Sequence, residues 1–178
     1  MDEMPARPAT TKGTAMVHLL DDTDRRILTE LDNDPRATIM GLAQRCGLAR
    51  GTVQARLERL ERDGALRAHS VRVDPAALGR ELSGMVAAEL DQHQYEKAVE
   101  ALRRIPEVLE CFAPAGETDL LCRVVARDPD DLYRVCEEIR LCPGIVRTRT
   151  SVYLRRLIPY RTAPLLAADD AGRRTRRG

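Results

Sequence analysis

The sequence predicts an α+β chain in which a helical part precedes a part with the alternating order βαββαβ. Apolar residues recur at helical spacing from residue 22 to residue 63, and short strand patterns alternate with helical patterns from residue 83 to residue 160. Of the 178 residues, 43% are hydrophobic and 32% are charged, as is typical of a folded chain. We therefore expect two small domains.

The N-terminal part is predicted to contain three short helices. Asp22 is a suitable N-cap for the first helix, which ends before Pro35 because proline disfavours helical backbone in the preceding residue. The second helix covers residues 39–46 and ends at Gly47, where a helix C-cap favours positive φ. The third follows at once over residues 51–63. Two helices joined by so short a connection are typical of a helix-turn-helix.

The C-terminal part is predicted to be a ferredoxin-like βαββαβ domain, with two helices on one face of a four-stranded antiparallel sheet. The expected strands cover residues 84–90, 108–113, 119–126 and 146–157. The expected helices cover residues 95–104 and the segment after Asp128, an N-cap followed by proline. Apolar residues occupy both faces of the third strand, so we expect a second copy of the chain to cover the open face of the sheet.

These elements set the predicted domain boundaries. The chain would consist of a disordered leader (1–17), a helix-turn-helix domain that ends with a short strand at residues 66–73 (18–73), a connector (74–82), the ferredoxin-like domain (83–160) and a basic tail (161–178). The charge supports two different roles for the domains. Residues 45–72 contain seven arginines and three acids, whereas residues 81–145 contain seven bases and fourteen acids. A basic helical segment beside an acidic domain suits a protein that presents one part to a polyanion.

Several classes of protein are disfavoured by what the sequence lacks. The three histidines, His18, His69 and His93, are scattered, and no catalytic triad, P-loop or zinc-ligand spacing occurs, so neither an enzyme nor a metal or cofactor is expected. No stretch approaches the ~20 apolar residues that span a bilayer. The five cysteines form no C-x-x-C pair and are expected to be reduced thiols. We expect a cytoplasmic protein without membrane contact.

Several short motifs, in one order and at one spacing, resemble the Lrp/AsnC, or feast/famine, family of regulators. They are LDDTDRRIL at residues 20–28, LAQRCGL at 42–48, VQARLERLE at 53–61, IPEV at 105–108, GETD at 116–119 and PGIVRTRT at 143–150. The resemblance covers residues 19–158. It implies a transcriptional regulator that binds double-stranded DNA through the helix-turn-helix and dimerises through the sheet. It also implies tetramers or octamers and a small-molecule effector, commonly an amino acid, between dimers.

The third helix is the expected DNA-contacting helix, because the second helix of such a motif lies in the major groove with its N-terminal residues near base edges. Arginine pairs with guanine and glutamine with adenine. We expect contacts at or near bases from Arg50, Gly51, Thr52 and Gln54, and phosphate contacts from Arg56 and Arg59. The family usually has a Ser or Thr cap before this helix, where Ala49 stands here. Either Thr52 replaces part of that cap or the helix begins one residue later.

The effector site implied by the resemblance is the loop that contains Gly116, Glu117, Thr118 and Asp119. An amino acid needs N–H donors for its carboxylate and an acceptor for its ammonium group, which turn amides and Asp119 would supply. Hydroxyls of the last strand would add to this site, from Thr148, Thr150 and Ser151.

Two alternatives to a ligand-responsive regulator stay open from the sequence. A ligand-independent architectural DNA-binding protein would share the first domain and the oligomer but ignore small molecules. A metal or redox sensor would instead use Cys111, Cys122 or Cys136. Footprinting with and without ligand separates the first alternative from a regulator, and Cys→Ser variants test the second.

Overall fold

The computed structural model describes residues 19–167. The predicted leader, residues 1–17, and the end of the predicted basic tail, residues 168–178, lie outside this range. The described chain divides into two compact units: residues 19–71 together with 160–167, and residues 72–159. Across residues 19–167, every helix is too short or too polar to reach from one side of a bilayer to the other.

The first unit contains the three predicted helices. They are α1 (Asp22–Asn33), α2 (Ile39–Cys46) and α3 (Arg50–Arg62). Gly47 ends α2 with a φ of 62°, in the left-handed region that glycine adopts without strain, so the predicted C-cap is confirmed. Helix α3 begins at Arg50, one residue earlier than predicted. The core of this first unit lies between the three helices and contains the buried side chains of Ile27, Leu42, Ala43, Cys46 and Val53.

The N-cap of α1 is Asp21 and not the predicted Asp22. The Asp21 carboxylate accepts a hydrogen bond from the Asp24 amide at 2.8 Å, and the Asp24 carboxylate accepts one from the Asp21 amide at 3.1 Å. This reciprocal capping box satisfies two backbone donors that a helix start otherwise leaves open. It also fixes the Asp24 side chain at the beginning of α1.

The predicted strand at residues 66–73 is wrong. A short 3₁₀ turn covers His69–Arg72, and a second covers Pro75–Leu78. The Val71 amide donates to the Ala68 carbonyl, as in a turn, and the Val71 side chain is exposed. The described chain offers this segment no neighbouring strand, and a strand without a partner is not stable in isolation.

The second unit has the predicted order βαββαβ. Its elements are β1 (Leu82–Leu90), α4 (Tyr95–Leu102), β2 (Val108–Phe112), β3 (Leu120–Ala126), α5 (Pro129–Arg140) and β4 (Ile145–Val152). The strands form one antiparallel sheet in the order β2-β3-β1-β4. Strand β4 ends well before the predicted residue 157. Its last pair with β1 is Val152–Gly84, and β1 itself begins only two residues earlier, at Leu82.

The two faces of this sheet differ. One face packs against α4 and α5 around a fully buried core, whose largest members are Leu102, Leu120, Ile139, Val86, Val124 and Val135. The open face is mixed, since Met85, Ala87 and Leu121 lie beside two ion pairs. Those pairs join Arg123 to Glu110 and Arg149 to Glu89.

A charged network fastens the start of α5. Asp128 caps the helix by accepting from the Asp131 amide, with Pro129 at the first helical position, as predicted. The buried Asp131 carboxylate accepts hydrogen bonds from Arg127 and Arg134, and the bonds from Arg127 are the main cause of its lowered pKa. Arg134 also donates to the buried Glu107 at 3.0 Å. The network thereby ties α5 to the segment before β2.

Candidate nucleic-acid interface and effector loop

The start of α3 has no side-chain cap. Its N-cap residue is Ala49, and only the Ala49 carbonyl accepts bonds from the Thr52 and Val53 amides. Thr52 therefore does not replace the missing cap, and the helix does not start later, so both expectations raised by Ala49 are wrong. The first amides of α3 lack the side-chain acceptor that Asp21 supplies at α1.

The N-terminal turn of α3 (residues 50–54) brings the four expected base-contacting residues together. Arg50, Gly51, Thr52 and Gln54 are all exposed, whereas Val53 is buried in the helical core. Gln54 donates to Glu58 one turn later at 3.0 Å. Within residues 19–167 the Arg50 guanidinium has no ion-pair partner. This turn therefore presents donors and a free positive charge to solvent.

The C-terminal half of α3 (residues 56–62) is held to α1 by two arginines. The Arg56 Nη1 atom donates to Asp21 at 2.6 Å and to Asp24 at 2.8 Å. The Arg59 Nη2 atom donates to the second oxygen of Asp24 at 2.6 Å. Since the Asp24 side chain is only 1% exposed, the pairs of Arg56 and Arg59 with Asp24 are partly buried and not surface contacts, whereas Asp21 is 49% exposed. Arg56 and Arg59 therefore connect α3 to the beginning of α1.

The electrostatics of this cluster agree with its geometry. Partial burial raises the pKa of Asp21, but hydrogen bonds from Arg56 and the Asp24 amide lower it more, so it lies below the ordinary value. Hydrogen bonds to Asp21 and Asp24 raise the pKa of Arg56. The Arg59 Nε atom is buried and has no hydrogen-bond partner in the described chain. The side chains of Arg56 and Arg59 are thus held in one arrangement around Asp24.

Sequence reasoning missed the acidic partners of α3. Asp21 and Asp24 belong to the motif at residues 20–28, but nothing local indicates that they contact a helix more than 30 positions later. Arg26 was missed as well: its Nη2 atom donates to the Cys46 carbonyl at the end of α2, at 2.7 Å. For Asp21 and Asp24 the sequence did offer one signal: their spacing is that of a capping box, which predicts that both side chains are fixed at the start of α1.

The loop between β2 and β3 is fastened to the end of β1. The Thr118 hydroxyl donates to the Ala88 carbonyl at 3.0 Å. The Asp119 carboxylate accepts from the Leu90 amide at 2.7 Å and from the Gln92 side chain at 2.8 Å. Gly116 has a φ of 143°, which side-chain-bearing residues rarely adopt, and Gly116 and Glu117 are exposed. The loop therefore has a fixed base and an open tip.

The three expected hydroxyls of β4 do not share a face. Thr148 and Thr150 pair with Ala88 and Val86, so they lie on the helix-covered face of the sheet. The Thr150 hydroxyl contacts the Cys136 sulfur of α5 at 3.3 Å. Ser151 pairs with Met85 on the open face. Thr148 lies opposite Ala88, whose carbonyl accepts from Thr118 of the β2–β3 loop, whereas Thr150 and Ser151 lie farther along the strand.

The described chain also offers no cluster of three or more His, Cys, Asp or Glu side chains arranged to hold a metal ion. Two cysteines do meet: the Cys111 and Cys122 sulfurs lie 3.5 Å apart on β2 and β3.

Both units match known families. Residues 20–67 match the winged helix-turn-helix DNA-binding family, and residues 83–163 match the Lrp/AsnC ligand binding domain. The HTH-type transcriptional regulator LrpA of Mycobacterium tuberculosis is 42% identical over 143 residues, which cover 78% of this chain and 93% of that protein. The chain belongs to the Lrp/AsnC family of transcriptional regulators. The resemblance and the fold class predicted from the sequence are thereby confirmed.

Solved structures of family members show the same architecture. E. coli AsnC superposes with a TM-score of 0.73 at 26% identity, over 83% of this chain and 100% of the AsnC chain. A feast or famine regulatory protein from M. tuberculosis, complexed with L-methionine, superposes with a TM-score of 0.70 at 36% identity, over 81% of this chain and 98% of that one. The Lrp/AsnC regulator described here therefore has the fold of characterised members.

Proposed function

We propose that this Lrp/AsnC regulator is a cytoplasmic, non-enzymatic protein that binds specific DNA sequences as a homodimer or larger oligomer and responds to an amino acid. The observation that carries the DNA-binding part is the N-terminal turn of α3. Its polar side chains are exposed, and Arg50 among them has no ion-pair partner within residues 19–167. Ion pairs hold the helix in place. A fixed helix with a polar, exposed N-terminal turn is what insertion into the major groove requires.

Within α3 we propose a division of roles. Arg50, Thr52 and Gln54 contact base edges, and Gly51 allows the helix to approach the DNA closely. Arg56 and Arg59, which the sequence suggested for phosphates, act instead as positioning residues that set the orientation of α3. The hydrogen bonds that Arg56 and Arg59 donate to Asp21 and Asp24, all between 2.6 and 2.8 Å, support this role.

For the effector we propose an α-amino acid bound at the tip of the β2–β3 loop. Within residues 19–167, the amides of Gly116 and Glu117 donate to no acceptor, so they are available to a carboxylate. Thr118 and Asp119 shape the loop through their bonds to β1, and Asp119 keeps lone pairs for an ammonium group. Thr148 belongs to the same end of the sheet. Thr150 and Ser151 are proposed only for an assembly in which another subunit completes the site.

The open face of the sheet is the proposed dimer surface. Its centre is apolar at Met85, Ala87 and Leu121, and Phe112 at its edge is 51% exposed. A second copy would bury these side chains and compensate for the small core of each unit. An effector bound between such dimers changes their packing and the spacing of the DNA-binding helices, provided that it binds one assembly more tightly than another.

A thermal-shift screen combined with footprinting tests the proposal. At a saturating concentration, an effector that binds only the native protein should raise Tm, and L-methionine is the first compound to try, with D-methionine as the control. Gly116→Trp should abolish the shift but preserve operator affinity. Gly79→Trp is the matched variant, because Gly79 also has positive φ and open space around it but lies outside the loop.

Two outcomes would contradict different parts of the proposal. If no amino acid changes Tm, the oligomeric state or the footprint, the chain is the ligand-independent architectural protein that the sequence left open. If the protein is monomeric and binds an operator no better than random duplex at moderate salt, the DNA-binding proposal itself is wrong.

A further inference from the structure

Cys111 and Cys122 face each other across two neighbouring strands. They are direct partners in the β2–β3 ladder, and the Cys122 Sγ donates to the Cys111 Sγ at 3.5 Å. Residues opposite each other in antiparallel strands have Cα atoms about 4.5–5.5 Å apart. That separation lies within the roughly 4.4–6.8 Å that a disulfide spans. A bond between these sulfurs therefore requires side-chain rotation and little movement of the backbone.

The two thiols are chemically unequal. Cys111 lies on the edge strand and is exposed, whereas Cys122 is completely buried. The hydrogen bond from Cys122 lowers the pKa of Cys111 below that of an ordinary thiol, against a smaller opposing effect of desolvation. The same contact, together with burial, raises the pKa of Cys122. Cys111 is therefore the accessible thiol and the one of the pair that ionises more readily, and Cys122 is the buried, less acidic thiol beside it.

We propose that Cys111 and Cys122 form a peroxide-oxidised, reversible disulfide site. The Cys111 thiolate attacks hydrogen peroxide, which breaks the O–O bond and gives a sulfenic acid and hydroxide. The Cys122 sulfur then attacks the Cys111 sulfur and forms the S–S bond. The hydroxyl of the sulfenic acid leaves with the Cys122 proton as water. A small dithiol reverses the reaction by thiol–disulfide exchange, so in a reducing compartment the bond is transient.

The other three cysteines have surroundings that do not favour this chemistry. Cys46 is buried in the helical core. Cys136 contacts the Thr150 hydroxyl, and the buried Cys142 donates to the Glu138 carbonyl while burial raises its pKa. The pair also has a distinctive position, next to the Phe112–Leu121 pair that precedes the β2–β3 loop. A disulfide there fixes the hairpin whose loop carries Gly116–Asp119.

Peptide mapping of the full-length protein tests this inference. After treatment with hydrogen peroxide in slight excess, non-reducing digestion should give a Cys111–Cys122 linked peptide lighter by two hydrogens, and dithiothreitol should remove the link. Cys136→Ser should retain the link. Cys111→Ser should lose it and leave Cys122 unmodified, and its unchanged Tm under reducing conditions would show that the fold is intact. Because no effector or DNA is present, failure of this test leaves the proposed function untouched.

Three results would overturn the inference. The first is oxidation of Cys111 to sulfinic or sulfonic acid without a link. The second is a link between Cys111 and Cys111 of a second copy. The third is modification of Cys122 by peroxide in the Cys111→Ser protein. Alkylation by iodoacetamide tests the order of attack separately. The rate at Cys111 should reach half its maximum at a pH below 9.0, the ordinary pKa of a thiol. A midpoint above that value contradicts the assignment of Cys111 as the attacking sulfur.

Discussion

The two ends of α3 contain the same residue type in opposite circumstances. In the N-terminal turn, Arg50 is exposed and unpaired within the described chain, and the helix start has no side-chain cap. In the C-terminal half, Arg56 and Arg59 donate to carboxylates, and one of these, Asp24, is almost completely buried. The difference supports the proposed division of roles, in which the N-terminal turn contacts DNA and the C-terminal half holds α3 in the fold. Arginine content alone does not distinguish these roles.

The largest effect should follow from removing the carboxylate that both arginines share. Asp24→Ala removes the carboxylate that pairs with Arg59 and one of the two that pair with Arg56, which keeps only the more exposed Asp21. The free energy of unfolding should therefore fall by ~3 kcal/mol, the lower end of the range for a broken buried pair. Urea unfolding followed by circular dichroism measures this. Asp32→Ala, on the same helix but exposed, is the matched control and should change stability by less than ~0.5 kcal/mol. Equal effects of the two substitutions would remove the special role of Asp24.

The next effect concerns DNA affinity and not stability. Arg50→Ala should weaken operator binding by ~1–3 kcal/mol, or roughly 5- to 150-fold, as expected for a lost base contact. Tm should not change, because Arg50 has no partner within residues 19–167. Fluorescence anisotropy with operator and scrambled duplexes measures the loss, which should be larger for the operator. A loss of the same size on both duplexes would mean that Arg50 contacts phosphate.

A smaller effect is expected from supplying the missing cap. Ala49→Ser places a hydroxyl where it accepts from the second or third amide of α3, which should stabilise the unit by ~1 kcal/mol. The rise in Tm is the measurement, with Ala49→Val as a control that adds volume without an acceptor. If the amides at this end contact DNA phosphates, the serine variant should also bind operator more weakly. A cap that lowers Tm would show that the backbone at Ala49 is not available for capping.

The smallest effect is a shift in acid titration. Because the folded pKa of Asp21 is below its ordinary value of 3.8, its contribution to stability is complete above that pH and is lost as the pH falls through the folded value. In a carboxyl NMR titration, the Asp21 midpoint should lie below 3.8 and move up toward it in Arg56→Gln. A midpoint unmoved by the substitution would contradict the Arg56–Asp21 pair.

Much of the fold was predictable because its signals are local. Gly47 at the end of α2 and the Asp128-Pro129 pair at the start of α5 each fix a boundary through backbone chemistry within one helical turn. Two predictions were wrong for the opposite reason: the strand at residues 66–73 and the extension of β4 to residue 157. A strand ends where its partner ends, and the sequence of one segment does not contain that information.

In the candidate sites, too, features set by local sequence were predictable and features set by long-range contacts were not. The spacing of α3 predicted which residues of its N-terminal turn are exposed, since Val53 had to face the core. The partners of Arg56 and Arg59 depend on a contact between positions 24 and 59, which no local pattern shows. The separation of Thr150 from Ser151 was available from the sequence, because adjacent strand residues point to opposite faces. The hydrogen bonds that Asp119 makes with the end of β1 depended on the sheet register.

The salt dependence of operator binding tests the contrast between the two ends of α3 most directly. Each phosphate contact contributes about 0.9 to the slope of log K against log salt concentration, so losing one reduces the slope by about that amount. Arg56→Gln should keep the slope of the parent protein and lower the free energy of unfolding. If the slope falls by about 0.9 with stability unchanged, Arg56 contacts phosphate and the C-terminal half of α3 is not an anchor.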